Sequence, residues 1–309
     1  TLNLGNITSS KPITQGLSQQ CFEVFTDADN RYIVKMYRES LYSSSNNTCV
    51  ELLAYQAFKA KFTPTLIGHT EHLLVLEKLT CEPMCLIEQS TQNKLSLTLL
   101  AASKLHELPI QPDYCFCKSI NFRLVFNALM NESKLEPQLA KMINKHVNTS
   151  IERLNNYLEI NTVNPVICHG DLNFGNVFYD ENTKNETFKL IDFESLCLMP
   201  KEYDIAMMLA VNCVNINKSE GGLFIAGLAL LNSTDPKVDK HLVGIYYNLS
   251  VLINGLWYLN KFKPYKVQQS DINDSNSNSD LYFNKVIEQF TLLDDQLILN
   301  LITNSDITF

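Results

Sequence analysis

The sequence predicts an α+β chain: a small, sheet-rich N-terminal lobe over residues 1–79, then a larger, mostly helical lobe over residues 80–309. Two observations lead to this. Up to about residue 80, apolar residues alternate in short runs broken by turn residues, as in half-buried strands, with one helical stretch among them. From about residue 90 the spacing turns helical and stays so, interrupted once by "PVICHGDLNFGNVFYDENTKNETFKLIDF", residues 165–193.

The elements follow in order. "CFEVF" (Cys21–Phe25) and "RYIVKMY" (Arg31–Tyr37) flank the turn composition "TDADN", so they are expected to form a hairpin, with Gly16 at the entry to its first strand. After a polar spacer, Val50, Leu53, Ala54, Ala57 and Phe58 recur at helical spacing. "TPTLIGHTEHLLVLEKLT" (63–80) reads as two short strands, the second apolar from Leu73 to Leu76. "KLSLTLLAASKLHELP" (94–109) is a helix ended by Pro109. Beyond the interruption, helical stretches are expected at 204–214, 221–231, 240–262 and 281–302, with a polar loop over 268–280.

Composition narrows the function classes. With 45% hydrophobic and 19% charged residues in 309, the chain can bury a sizeable core. Lys and Arg number 25 against 33 Asp and Glu, and a net charge of -8 repels phosphate backbones, so nucleic acid is not expected as partner. A small or cationic ligand fits better. The nine cysteines lack the paired spacing and clustered histidines of a zinc site, so thiols in a reducing cytoplasm are expected. No basic segment followed by an apolar core opens the residues given, and "GLFIAGLALL" from Gly222 is too short to span a bilayer, so no membrane partner is expected.

The central interruption carries the chemistry. "HGDLNFGN" lies between two expected strands, and "LIDFE" follows with its Asp192 sixteen residues past the Asn. Asp171, Asn176 and Asp192 would thus meet at one end of a small sheet. A carboxylate can accept a hydroxyl's proton, while an amide oxygen and a second carboxylate are hard ligands suited to magnesium, which also binds phosphate oxygens. Any one of the three could simply make a turn. As a set, between strands, they form an arrangement for phosphoryl transfer.

These motifs resemble those of the kinase-like phosphotransferases acting on small molecules: aminoglycoside phosphotransferases and choline, ethanolamine and thiamine kinases. "YIVKMY", "VELLAYQAF", "LLVLEKLT", "LAASKLHELP" and "EYDIAMML" fall in family order around them. The resemblance implies a two-lobed, protein-kinase-like fold that uses ATP and Mg2+, with Asp171 as catalytic base and Asn176 and Asp192 as metal ligands. Lys35 would reach the ATP phosphates and Glu51 would pair with it. Gly16 and Ser18 match the phosphate-covering loop, although relatives often carry two adjacent glycines and an Asn there. Glu77 to Leu79 resemble the segment that bonds adenine. His169 would hold the catalytic loop, His106 is expected to be a satisfied core or helix-end residue rather than a ligand, and Asp204 resembles a structural aspartate. Only twelve residues separate Asp192 from Asp204, leaving no room for a peptide-docking segment, so the acceptor is expected to be small.

For the acceptor, the resemblance assigns Asn173, Glu194, Trp257 and Tyr258. Choline kinases hold a quaternary amine with aromatic faces from a late helix, often at W-x-x-W. Here the matching positions are Asn254 and Trp257, so one wall is missing unless Tyr258, Phe262 or Tyr203 replaces it. An amine-bearing alcohol is the first expectation. An aminoglycoside or sugar is the alternative, with Asp294 and Asp295 as acids for a polycation, and a non-catalytic nucleotide-binding protein is a third reading.

Overall fold

The computed structural model describes residues 4–13, 20–37, 49–58, 61–110, 116–180, 187–218, 221–222, 238–267 and 276–304. Gly16 and Ser18 lie outside these, as do most of the helix expected at 221–231 and residues 268–275. The chain divides into two compact units: one of residues 1–118 and 174–197, the other of 119–173 and 198–309.

The first unit is built on a five-stranded antiparallel sheet of β1 (Ile7–Ile13), β2 (Gln20–Thr26), β3 (Arg31–Met36), β4 (Leu66–His69) and β5 (Leu73–Glu77), in the order β1-β2-β3-β5-β4. The expected hairpin is β2–β3, whose reversal at Asp29 uses a positive φ of 58° that Asp tolerates. Sequence periodicity missed β1: its residues are exposed on both faces up to Ile13, so no alternation marks it. Its outer position includes Lys11 and Pro12. Register places Lys35 of central β3 between Cys21 of β2 and Leu74 of β5.

Helix α1 (Val50–Phe58) buries Glu51, Tyr55 and Phe58, spaced along one face. Its aromatic residues meet the short 3-10 turn Phe193–Ser195: Phe193, fully buried, lies edge-on to Tyr55 at 5.4 Å and to Phe58 at 5.5 Å. A second sheet joins β6 (Glu82–Pro83), β8 (Val177–Asp180) and β9 (Thr187–Leu190). Helix α2 (Thr91–His106), N-capped by Ser90, packs on β9.

The second unit holds α3 (Phe122–Ser133), α4 (Pro137–Ile160), β7 (Val166–Cys168), α5 (Lys201–Val211), α6 (Lys240–Val267), α7 (Asn276–Thr291) and α8 (Gln296–Asn304). The short strand β10 (Cys197–Met199) pairs with β7 at the point where the chain passes from one unit to the other. Helix α6 is the axis on which α3, α4, α5 and α7 pack. Its stretch Lys240–Phe262 is long and apolar enough to cross a membrane, with a mean hydropathy of 1.3 over an 18-residue window, yet 67% of that window is buried within the fold. Burial of most of its surface accounts for that hydropathy. The single helix expected over 281–302 is two, because Asp294 turns at φ 56° and Asp295 caps α8 through the N–H groups of Leu297 and Ile298.

Close approach of α6 and α7 depends on Gly255, where an added Cβ would lie 2.8 Å from the Phe290 ring. Alanine improves helix propensity by about 1 kcal/mol over glycine, so without the ring it would stabilise. Gly255→Ala is instead expected to lower the unfolding free energy by about 1–3 kcal/mol in chemical denaturation, and Phe290→Leu in that background to restore part of the loss.

Candidate active site

In the first unit, the site forms around one buried lysine. Lys35 is 7% exposed on a central strand, and its Nζ lies 2.6 Å from Asp192 Oδ1, 2.7 Å from Glu51 Oε2 and 3.0 Å from Glu194 Oε1. One ammonium among three carboxylates leaves a formal excess of two negative charges. Burial alone would lower the lysine's pKa, but Glu51 and Asp192 hold it well above its ordinary value.

The helix α1 face explains how Glu51 reaches this point. Glu51 Oε2 also accepts the Tyr37 hydroxyl, whereas Glu51 Oε1, buried, has no hydrogen-bond partner among the described residues. Burial pushes the Glu51 carboxyl up to about 7, more than the pull of Lys35 offsets. Asp192 has a left-handed backbone, φ 66° and ψ 61°, and its side chain does not cap the turn that follows. It turns to Lys35 instead, while its N–H donates to the Tyr55 hydroxyl at 3.4 Å.

Asn176 precedes β8, and its carbonyl accepts the Ile191 N–H at 3.1 Å. Asn176, 7% exposed, and Asp192 therefore sit at the same end of the β8–β9 hairpin. An amide oxygen, a carboxylate and the negative excess around Lys35 make a donor set that fits magnesium. Glu77 ends β5 with its N–H bonded to Thr65, and the Lys78 N–H donates to Arg31, so Leu79 is the first residue beyond the sheet.

In the second unit, the loop after β7 is fixed by Asp204, which is fully buried at the start of α5. Its Oδ2 accepts the His169 N–H and its Oδ1 the Gly170 N–H, both at 2.8 Å. Gly170 takes φ 78°, which turns the chain sharply before Asp171. His169 Nδ1 accepts the Asp171 N–H at 3.3 Å. The Asn173 amide donates to both oxygens of Asp171, at 3.2 and 3.3 Å.

Of the residues expected at the acceptor, Tyr258 lies on α6, where burial and then the Asp171 charge hold its proton on well above its ordinary value. Trp257 meets Tyr258 edge-on at 5.2 Å. Asn254 donates to Met207 Sδ at 3.7 Å. Glu194 lies with Lys35. Tyr203 is packed against Phe122 and Tyr246, Phe262 against Phe283, and Asp295 pairs with His146 at 2.8 Å. His106 lies at the end of α2. Sequence reasoning overlooked Tyr37 and Tyr55, although Tyr37 falls two residues past Lys35 and Tyr55 one helical turn past Glu51.

Sequence and fold together define a phosphotransferase. The chain belongs to the phosphotransferase enzyme family, whose pattern matches residues 9–236. Its fold is similar to that of an ethanolamine kinase from Plasmodium vivax, with a TM-score of 0.65 and 16% identity over 94% of this chain and 83% of that one. It is also similar to a choline kinase from Streptococcus pneumoniae, with a TM-score of 0.61 and 16% identity over 93% and 94% of the two chains. A spectinomycin phosphotransferase in complex with ADP and spectinomycin gives a TM-score of 0.58 and 15% identity over 95% and 97%. No curated protein sequence matches significantly.

Two outcomes follow from the buried acids. The unfolded chain releases the Glu51 proton near the ordinary value of 4.5 and the folded chain near 7, so between these values the folded state holds more protons and its stability falls as pH rises. Unfolding of the Glu51→Gln variant, followed in urea from pH 4.5 to 7, is expected to lack that part of the fall; parallel curves would refute it. Asp204→Asn puts an amide N–H group against one of the two loop N–H donors and is expected to cost on the order of 2–3 kcal/mol, read as a lower melting temperature.

Proposed function

We propose that this chain is an ATP-dependent kinase that transfers the γ-phosphoryl group to a hydroxyl of a small amine-bearing alcohol, of the kind ethanolamine and choline represent. The observation that carries the reading is the lysine held by three carboxylates, with Asp192 among them. A lysine kept only for packing would need one partner. Three acids leave a charge excess that a divalent cation with nucleotide phosphates would offset.

In this reading Asn176 and Asp192 hold Mg2+, and Glu194 lends further negative charge beside Lys35. Magnesium, when bound, neutralises charge on the phosphate oxygens. Lys35, steadied by Glu51, contacts the phosphates. Asp171 accepts the acceptor's hydroxyl proton as the oxygen bonds to the γ-phosphorus and the bond from that phosphorus to the bridging oxygen breaks, releasing ADP, and Asn173 aims both carboxylate oxygens. Gly16 and Ser18 cover the phosphates, and the backbone from Glu77 to Leu79 meets adenine. Trp257 and Tyr258 face the acceptor. The activity is assigned to the cytoplasm.

Phosphoryl transfer to an aminoglycoside or sugar is the second reading, favoured by the likeness to spectinomycin phosphotransferase. It is weaker because Asp295, one of the acids considered for a polycation, already caps a helix and pairs with His146. A protein that only bound nucleotide would have no use for Asp171 held at both oxygens.

Asp171→Asn is expected to lower turnover by about 10²–10⁴-fold in a coupled ADP-release assay while nucleotide binding, measured by calorimetry, persists. Turnover at the wild-type rate would remove Asp171 as base. Across a panel of amino alcohols, thiamine, sugars and aminoglycosides, amino alcohols are expected to give the highest kcat/KM, and a higher value for kanamycin would favour the second reading.

A further inference from the structure

One face of α6 departs from its buried surroundings. Asn254, Trp257, Tyr258 and Lys261 are half-buried, whereas Gly255, Leu256, Leu259 and Asn260 are buried. Their spacing of three, four and seven residues sets them in one stripe along the helix. On the proposed reading this stripe, with Trp257 and Tyr258, is part of the acceptor region of the second unit; burial, and then the Asp171 charge, keep the proton on the Tyr258 hydroxyl within it.

The aromatic face in this stripe already has a cation. Lys261 Nζ stands 5.3 Å from the centre of the Trp257 ring, and Tyr258 closes the ring's edge. The other candidates for a second aromatic wall are committed elsewhere: Tyr203 is 3% exposed in a cluster with Phe122 and Tyr246, and Phe262 is 5% exposed against Phe283. A quaternary ammonium ion cannot donate hydrogen bonds, so it relies on aromatic faces for recognition. An ammonium with N–H groups can use carboxylates instead. Glu288 supplies such a carboxylate on α7, where it pairs with Lys285 at 2.6 Å and accepts the Cys213 thiol at 3.5 Å. The Tyr258 hydroxyl feels the charge of Glu288 as well as that of Asp171.

Resting on the phosphotransfer reading for its acceptor, we propose that Lys261 is a specificity-determining residue: its ammonium occupies the Trp257 face and excludes quaternary ammonium acceptors. The lysine is a permanent intramolecular occupant with a high effective concentration, so an external cation must displace it before it can stack. Primary amino alcohols, read through N–H groups, do not compete for that face.

Trp257 is the single tryptophan of the chain, so its fluorescence reports the face directly. Tetramethylammonium, which has the quaternary charge and no hydroxyl to phosphorylate, is titrated into wild type, Lys261→Met and Lys261→Arg. The Met variant is expected to show a saturable change in Trp257 emission at concentrations where wild type and the Arg variant show none. Equal responses in wild type and Lys261→Met, or no response in either, would overturn the proposal. In the coupled assay, the ratio of kcat/KM for choline to that for ethanolamine is expected to rise about fivefold in Lys261→Met, as for a cation–π contact at a half-exposed site. An unchanged ratio, or a wild-type preference for choline, counts against it. If no variant phosphorylates either alcohol, the acceptor reading fails, and the tetramethylammonium titration still decides the role of Lys261.

Discussion

A positive charge buried in a sheet has to be answered where it stands, and in the first unit much follows from how Lys35 is answered. The acids that meet it come by two routes: Glu51 from a helix face, Asp192 and Glu194 from a turn after β9. Aromatic packing secures those routes. Phe193, between Tyr55 and Phe58, ties the turn to the helix, so the carboxylates before and after it are set by hydrophobic contacts. The ion cluster is then the consequence of a well-packed box, which can bear the repulsion among the acids.

The second unit solves a different problem with one residue. A loop that is to carry the proposed base must be both irregular and rigid, and Asp204 achieves this by accepting two consecutive loop N–H groups with its two oxygens. The negative charge at the first turn of α5 also suits the helix dipole. In the proposed mechanism Asp171 thus rests on a carboxylate that takes no part in proton transfer, which separates holding the loop from reacting with a substrate.

What could be read from the residues alone follows their physical character. Hairpin β2–β3, helix α1 and the strands around "HGDLNFGN" declare themselves because half-buried elements impose a period on apolar side chains. Strand β1 is polar and exposed, and β6 and β10 have two and three residues, so they leave no period to find. The break at Asp294 was hidden because Asp commonly occurs in helices as well as turns. Lys35, Glu51 and Asp192 were recognisable by order and context. That Glu194 turns to Lys35, that Tyr37 and Tyr55 support the acids, and that Lys261 covers Trp257 depend on side-chain direction, which residue order does not encode.

Strand β1 has a consequence beyond the site. The outermost strand of an open sheet offers unpaired backbone groups to any passing chain, and flat apolar borders of this kind template aggregates. Here that border carries Lys11, whose charge resists a neighbour, and Pro12, which has no N–H to donate. The polar composition that conceals β1 from hydrophobic patterning thus also works as a gatekeeper, discouraging self-association through that side of the sheet.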